Sequence, residues 1–122
     1  MKGRKGYVLV GDDEEVMRSL FTDLLSELGY EVITAKNGQE VVEEIGQKDF
    51  AIAFIDVHMP VMNGVDALRA IKKIKPRIPI VMMDSFPDRL IKEAKEQGAI
   101  TCIHKPFEIK QIKEIMARIS GD

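Results

Sequence analysis

Five short apolar runs punctuate the chain: YVLV at 7–10, YEVITA at 30–35, FAIAFI at 50–55, IPIVMM at 78–83 and AITCIH at 99–104. Their lengths predict β-strands, and the third and fourth, apolar almost throughout, predict strands covered on both faces. Between the runs the apolar positions recur with a helical period. Residues 14–28 carry Val16, Met17, Leu20, Phe21, Leu24, Leu25 and Leu28 on one stripe closed by Gly29. Residues 38–47 repeat the pattern with Val41, Val42 and Ile45, and residues 64–74 with Val65, Leu68, Ile71 and Ile74 ahead of Pro76. A last helix is predicted over 107–119, with Ile109, Ile112, Ile115, Met116 and Ile119. The segment 87–97 is thinner, with Leu90, Ile91 and Ala94 between Pro87 in its first turn and Gly98 at its end. A helix so thinly buried is expected to be mobile or to face a partner. Asn37-Gly38 and Asn63-Gly64 resemble hairpin turns in isolation, but the helical patterns after both argue against that.

Strict alternation of strand and helix implies an α/β domain, a parallel sheet with helices on both faces. In such sheets ligands sit beyond the carboxyl ends of the strands, near the switch in strand order. Those ends carry Asp12 and Asp13 after the first strand, Asp56 after the third, Asp84 after the fourth and Lys105 after the fifth. The acidic groups would repel one another around one crevice unless a cation and an anion came between them. Oxygen ligands suit magnesium, which takes one or two protein carboxylates together with phosphate oxygens, and the anion would then be a phosphoryl group. A single Asp at a strand end is commonly a solvated loop residue. Four of five strand ends so equipped, with Asp56 closing FAIAFI ahead of Pro60, point to a joint function.

Composition narrows the classes further. The 122 residues suit one domain spanning 1–122, and no linker or repeat suggests an attached output domain. With 45% apolar residues, 31% charged and a net charge of -2, nucleic acid is not the expected partner. The single cysteine, Cys102, suits a reducing compartment, so the cytoplasm is expected. The apolar stretch behind the basic MKGRKG is too short for a signal peptide or a bilayer span, so no membrane association is expected. There is no Gly-rich phosphate loop and no Ser-His-Asp set. His58 and His104 lack a second histidine or cysteine at ligand spacing; His58 reads as lining the site rim and His104 as structural. Met82, Met83 and Met116 fall on core positions, whereas Met59 and Met62, flanking Pro60, are candidates for touching a partner.

The pieces GDDE at 11–14, FIDVHMP at 54–60, Asn63-Gly64 and HKPF at 104–107 together resemble the receiver domains of bacterial two-component response regulators, from Tyr7 to about Ile119. The resemblance implies a doubly wound, flavodoxin-like (βα)5 fold with strand order 2-1-3-4-5. It makes Asp56 the phosphoacceptor and Asp13 a direct Mg2+ ligand, with Asp12 on a metal-bound water, the backbone carbonyl of His58 as a further ligand, and Mn2+ as a substitute ion. Lys105 would pair with the phosphoryl oxygens. The implied donor is a phosphohistidine on a sensor histidine kinase or phosphotransfer protein, and the output is contact with a downstream protein. Any catalysis would be confined to the domain's own phosphorylation and dephosphorylation.

Two positions depart from the family. Asp84 stands where receivers carry Thr or Ser, whose hydroxyl donates to the phosphoryl group; an ionised carboxylate cannot donate. Two unit charges about 5 Å apart repel by roughly 3 kcal/mol at an effective dielectric of about 20. Cys102 stands where receivers carry Tyr or Phe, three residues before the lysine. Three readings of Asp84 are open: it bridges to Lys105 in the resting state; Ser85 replaces the hydroxyl while Asp84 turns to solvent; or the domain is a phosphorylation-independent pseudo-receiver that binds a partner. Phe86 offers a substitute ring, a cover for the site or a partner contact. A Mg2+-dependent aspartyl-phosphate phosphatase is a further alternative, disfavoured because Asp56 follows the third strand and His58 replaces a second Asp.

Overall fold

The structure, a computed structural model, describes residues 5–85 and 89–121. The elements alternate as the apolar pattern predicts: β1 (Tyr7–Gly11), α1 (Glu15–Glu27), β2 (Glu31–Ala35), α2 (Gly38–Ile45), β3 (Phe50–Asp56), α3 (Gly64–Ile74), β4 (Ile80–Asp84), α4 (Arg89–Glu96), β5 (Thr101–His104) and α5 (Ile109–Ser120). All strand pairs are parallel, in the order β2-β1-β3-β4-β5. The chain steps from β1 to β2 on one side and then crosses to β3 on the other. The carboxyl ends of β1 and β3 therefore flank the topological switch point.

Period-two alternation divides the core between two faces. Leu9, Ala53, Ile55, Ile80 and Met82 point toward α2, α3 and α4, where Val41, Ile45, Leu68, Ile71, Ile91 and Ala94 complete one cluster. Val8, Val10, Ile52, Phe54, Val81 and Met83 point toward α1 and α5, against Phe21, Leu25, Ile112 and Met116. The Phe21 ring lies 5.0 Å from that of Phe54 and 5.7 Å from that of Phe107, tying the segment after β5 to α1 and the sheet.

Both Asn-Gly pairs begin helices. Asn37 and Asn63 cap α2 and α3, accepting from the N–H groups of Glu40 and Asp66 at 2.8 and 2.9 Å. Gly64 presses on the end of β3: its N–H donates to the Val57 carbonyl at 2.8 Å, and a Cβ there would stand 2.1 Å from the Asp56 carbonyl oxygen. At the end of α1, Gly29 adopts φ +99°, the left-handed stop its position suggested.

Several apolar positions differ from expectation. Val16, Leu20, Ile74 and Ile109 are exposed; Leu20 lies at mid-helix beside the cavity next to Lys105, and the other three lie in the first or last turn of their helices. A helix of 13 residues such as α1 is about 20 Å long, whereas five-residue β1 covers about 17 Å, so the ends of α1 outrun that strand. Met59 is not available to a partner, being buried in the cluster under α2 and α3 with Met62 packed against it. Phe86 and Pro87 lie outside the described residues. No described helix is long and apolar enough to cross a membrane.

The β3–α3 loop exposes Pro60 and Val61, and Val61 is held at φ +68°. A β-branched side chain in left-handed backbone costs roughly 1–2 kcal/mol. Val61→Asn is therefore expected to stabilise the domain by about 1 kcal/mol, and Gly64→Ala to destabilise it by about 2 kcal/mol through overpacking against β3. Urea unfolding of the two variants checks both, and a shift of the same sign in each would contradict this reading of the loop.

Candidate functional site

Asp12 follows β1 directly and is fully buried. Its N–H donates to the Ala35 carbonyl at the end of β2 (3.0 Å), and its Oδ1 accepts from the Glu14 N–H (2.9 Å). Arg18, one turn into α1, donates to the Asp12 carbonyl at 2.8 Å. These contacts leave Oδ2 facing the crevice. Asp56, 4% exposed, closes β3. Its Oδ1 accepts from the His58 N–H at 3.0 Å.

The Lys105 ammonium joins the two carboxylates, donating to Asp12 Oδ2 at 2.7 Å and Asp56 Oδ2 at 3.0 Å, with Glu14 Oε1 further out at 3.2 Å. The residue is fixed at both ends. Its N–H donates to the Asp84 carbonyl at 2.6 Å, its bond to Pro106 is cis, and Phe107 is packed on Phe21. Ser85, Glu14, Met17, Leu20, Pro106 and Phe107 line a cavity of about 410 Å3 beside it.

Burial pushes the Asp56 carboxyl above the usual aspartate range, a rise opposed by Lys105 and the His58 N–H and reinforced by the charge of Asp12. Burial also penalises the Lys105 ammonium, but Asp12 and Asp56 outweigh that and hold it well above the ordinary lysine value. Lys105 thus stays charged across the physiological range. One ammonium does not balance the site. Carboxylate oxygens of Asp12, Asp13 and Asp56 can be drawn from within 4.8 Å of one another, with Asp13 exposed at the rim. An all-oxygen, net-negative donor set fits a hard divalent cation such as Mg2+ better than a thiophilic or imidazole-seeking metal.

The structure thus brings together Asp12, Asp13, Asp56 and Lys105, and places the His58 backbone beside Asp56. Asp84 behaves differently. It does not bridge to Lys105, nor does it turn to solvent: it is fully buried, and its Oδ1 lies 2.5 Å from His104 Nδ1. The reason is strand parity. Asp84 continues the Ile80, Met82 row that faces α3 and α4, and register pairs it with His104 on β5. An ionised Asp84 only accepts, and the imidazole then donates from Nδ1. Among the described residues Asp84 Oδ2 has no hydrogen-bond partner.

Three contributors escaped the sequence reading. Glu14 was visible as the residue after the Asp pair, but nothing in its spacing indicates a bond to Lys105. Arg18 sits at helical spacing from the site, and that position could have suggested its hold on Asp12. His104 was read as structural because its partner is set by the β4–β5 register, which sequence spacing alone does not supply.

Residues 8–117 match the family described as response regulator receiver domain. The chain is 36% identical over 115 residues to the chemotaxis protein CheY of Thermotoga maritima, covering 93% of this chain and 96% of that relative. It is 28% identical to sporulation initiation phosphotransferase F of Bacillus subtilis, covering 91% and 90% of the two chains. A 34% match to the DNA-binding transcriptional regulator NtrC of Azospirillum brasilense covers 91% of this chain but only 23% of that longer protein. The solved structure of chemotaxis protein CheY4 from Vibrio cholerae superposes with a TM-score of 0.86 at 29% identity, over 93% of this chain and 98% of that one. With the strand order, the acidic crevice and the lysine that spans it, these matches identify the chain as a member of the response regulator receiver domain family.

Proposed function

We propose that Asp56 accepts a phosphoryl group from a phosphohistidine on a sensor kinase or phosphotransfer protein, and that the phosphorylated domain signals by binding another protein. The observation that carries this reading is the Lys105 ammonium held 2.7 Å from Asp12 Oδ2 and 3.0 Å from Asp56 Oδ2. Phosphoryl transfer asks for positioning and charge neutralisation more than for covalent help. The His58 N–H and Lys105 fix the two oxygens of Asp56, and Lys105 is free to exchange a carboxylate oxygen for a phosphoryl oxygen. Asp13 and Asp56 would hold Mg2+ with the His58 carbonyl, Asp12 acting through a bound water. When bound, the ion neutralises charge on the incoming phosphate. In the transfer the Asp56 carboxylate forms the new O–P bond as the bond from phosphorus to the donor nitrogen breaks, giving an acyl phosphate. The relative named as a phosphotransferase supports a place in phosphoryl relay.

A second reading has one observation in its favour. No hydroxyl stands at position 84, and the carboxylate there is turned away from Lys105, as a binding module that no longer uses phosphorylation would tolerate. Phosphoryl uptake separates the two. Incubated with Mg2+ and acetyl phosphate, the chain is expected to gain one phosphoryl group by intact mass, and Asp56→Asn none; a wild-type chain that binds Mg2+ without gaining mass would favour the binding module.

The raised Asp56 pKa sets a pH dependence. The metal binds the carboxylate, and burial favours the protonated form. Mg2+ affinity should therefore rise as pH passes upward through the elevated Asp56 pKa and level off above it. Calorimetric titration across pH checks this, and Asp56→Asn should flatten that rise. Replacing Asp84 by Thr restores a donor and removes a negative charge. The phosphorylated state of Asp84→Thr should outlive that of the wild type several-fold in a mass-decay assay, and an equal lifetime would show that position 84 does not reach the phosphoryl group.

A further inference from the structure

We infer that His104 is a positioning residue that holds the Asp84 carboxylate out of the phosphoryl site, so that a domain with a carboxylate at this position can still accept a phosphoryl group on Asp56. The inference rests on the phosphoacceptor reading and concerns the regulation of the same site.

Asp84 occupies the strand between the two that deliver the reacting groups. β3 pairs with β4 so that Asp56 stands opposite Met83, and β4 pairs with β5 so that Asp84 stands opposite His104, one residue before Lys105. The Asp84 carbonyl accepts the Lys105 N–H at 2.6 Å. Parity sets the Asp84 Cβ on the α3 and α4 face; as the last residue of β4, Asp84 keeps one freedom, rotation about Cα–Cβ, by which its carboxylate could leave His104 for the Lys105 side. It points to the α4 face, where His104 Nδ1 meets Oδ1 at 2.5 Å. The Asp84 charge reaches Cys102, which lies on the α4 side.

Within the face that parity assigns, the imidazole is the anchor that holds the carboxylate in this rotamer. Asp84 is fully buried, and among the described residues its other oxygen has no partner. A buried carboxylate stripped of its donor is costly, and the Lys105 ammonium, one residue past the end of β5, is the cation that would compensate it. There it would compete for the lysine and set a further negative charge against an incoming phosphate. His104 itself is mostly exposed, with 66% of its side-chain surface open to solvent. Little packing is lost on replacing it, so its contribution lies in the bond to Asp84.

The test compares wild type, His104→Ala, His104→Asn, Asp84→Asn and the double variant His104→Ala/Asp84→Asn. Two quantities are measured: the Mg2+ dissociation constant, and the initial rate of phosphoryl uptake from acetyl phosphate at saturating Mg2+. In His104→Ala the released carboxylate joins the acidic cluster, so Mg2+ should bind at least threefold tighter while phosphoryl uptake slows at least tenfold. His104→Asn keeps an N–H about where Nδ1 stands and should remain within about twofold of wild type in both. In the Asp84→Asn background, His104→Ala should change neither. A general loss of structure would weaken both, so tighter metal binding with slower uptake is the diagnostic pair. The inference is overturned if His104→Ala leaves both unchanged, weakens both, or acts equally with Asp84 absent. If the wild type binds Mg2+ but takes up no phosphoryl group, the phosphoacceptor reading falls; the Mg2+ arm then still decides the orientation of Asp84, and unchanged affinity in His104→Ala overturns it.

Discussion

One ammonium group held between two buried carboxylates organises this domain. Lys105 meets Asp12 and Asp56 at 2.7 and 3.0 Å, and its three-way position exists only because strands one, three and five end at the same edge of one sheet. The contact is costly to assemble, since burial penalises the charges of Asp56 and Lys105. It persists because the surrounding fold determines it: Arg18 and the end of β2 hold Asp12, the His58 N–H holds Asp56, and Phe107 seated on Phe21 holds the segment after Lys105. The fold spends packing to keep an electrostatic arrangement that one lysine cannot neutralise. That imbalance makes the crevice receptive to a hard cation and, through it, to a phosphate.

The same edge contains a further carboxylate, Asp84, and strand parity turns it away from the cluster around Lys105. Alternation sends Met83 toward α1 and α5 and Asp84 toward α3 and α4, so residues adjacent in sequence serve opposite faces. His104 stands beside Asp84 on the neighbouring strand and on the same face. Acidity is thereby divided into a cluster that faces Lys105 and a pair that faces α4. The α4 side also holds Cys102, where family members carry an aromatic ring, so position 84 is linked to that face by a carboxylate–imidazole contact in place of the usual hydroxyl and ring.

Much of this was legible in the sequence, for identifiable reasons. Strand and helix order followed from apolar periodicity because every strand is short and covered on both sides. Asp12, Asp56 and Lys105 were legible because a parallel sheet dictates where its carboxyl ends lie. What the sequence left open depends on register between strands distant in the chain. Asp84 was expected at Lys105 or in solvent, and neither holds, because the β4–β5 register gives it His104. Met59, read as a loop residue available to a partner, is buried because Gly64 and Gly38 draw the β3–α3 loop down onto the sheet and α2. Val16, Leu20, Ile74 and Ile109 kept the helical period yet are exposed, since periodicity reports a face but not how much of it the sheet covers.

The central claim is that Asp56, among the carboxylates gathered here, is the one that takes the phosphoryl group. Hydride reduction converts an aspartyl phosphate to homoserine and so marks the modified residue permanently. After treatment with Mg2+ and acetyl phosphate, reduction and peptide mapping should find homoserine at position 56 alone. Homoserine at position 12, 13 or 84, or at none of them in a chain that binds Mg2+, would contradict it.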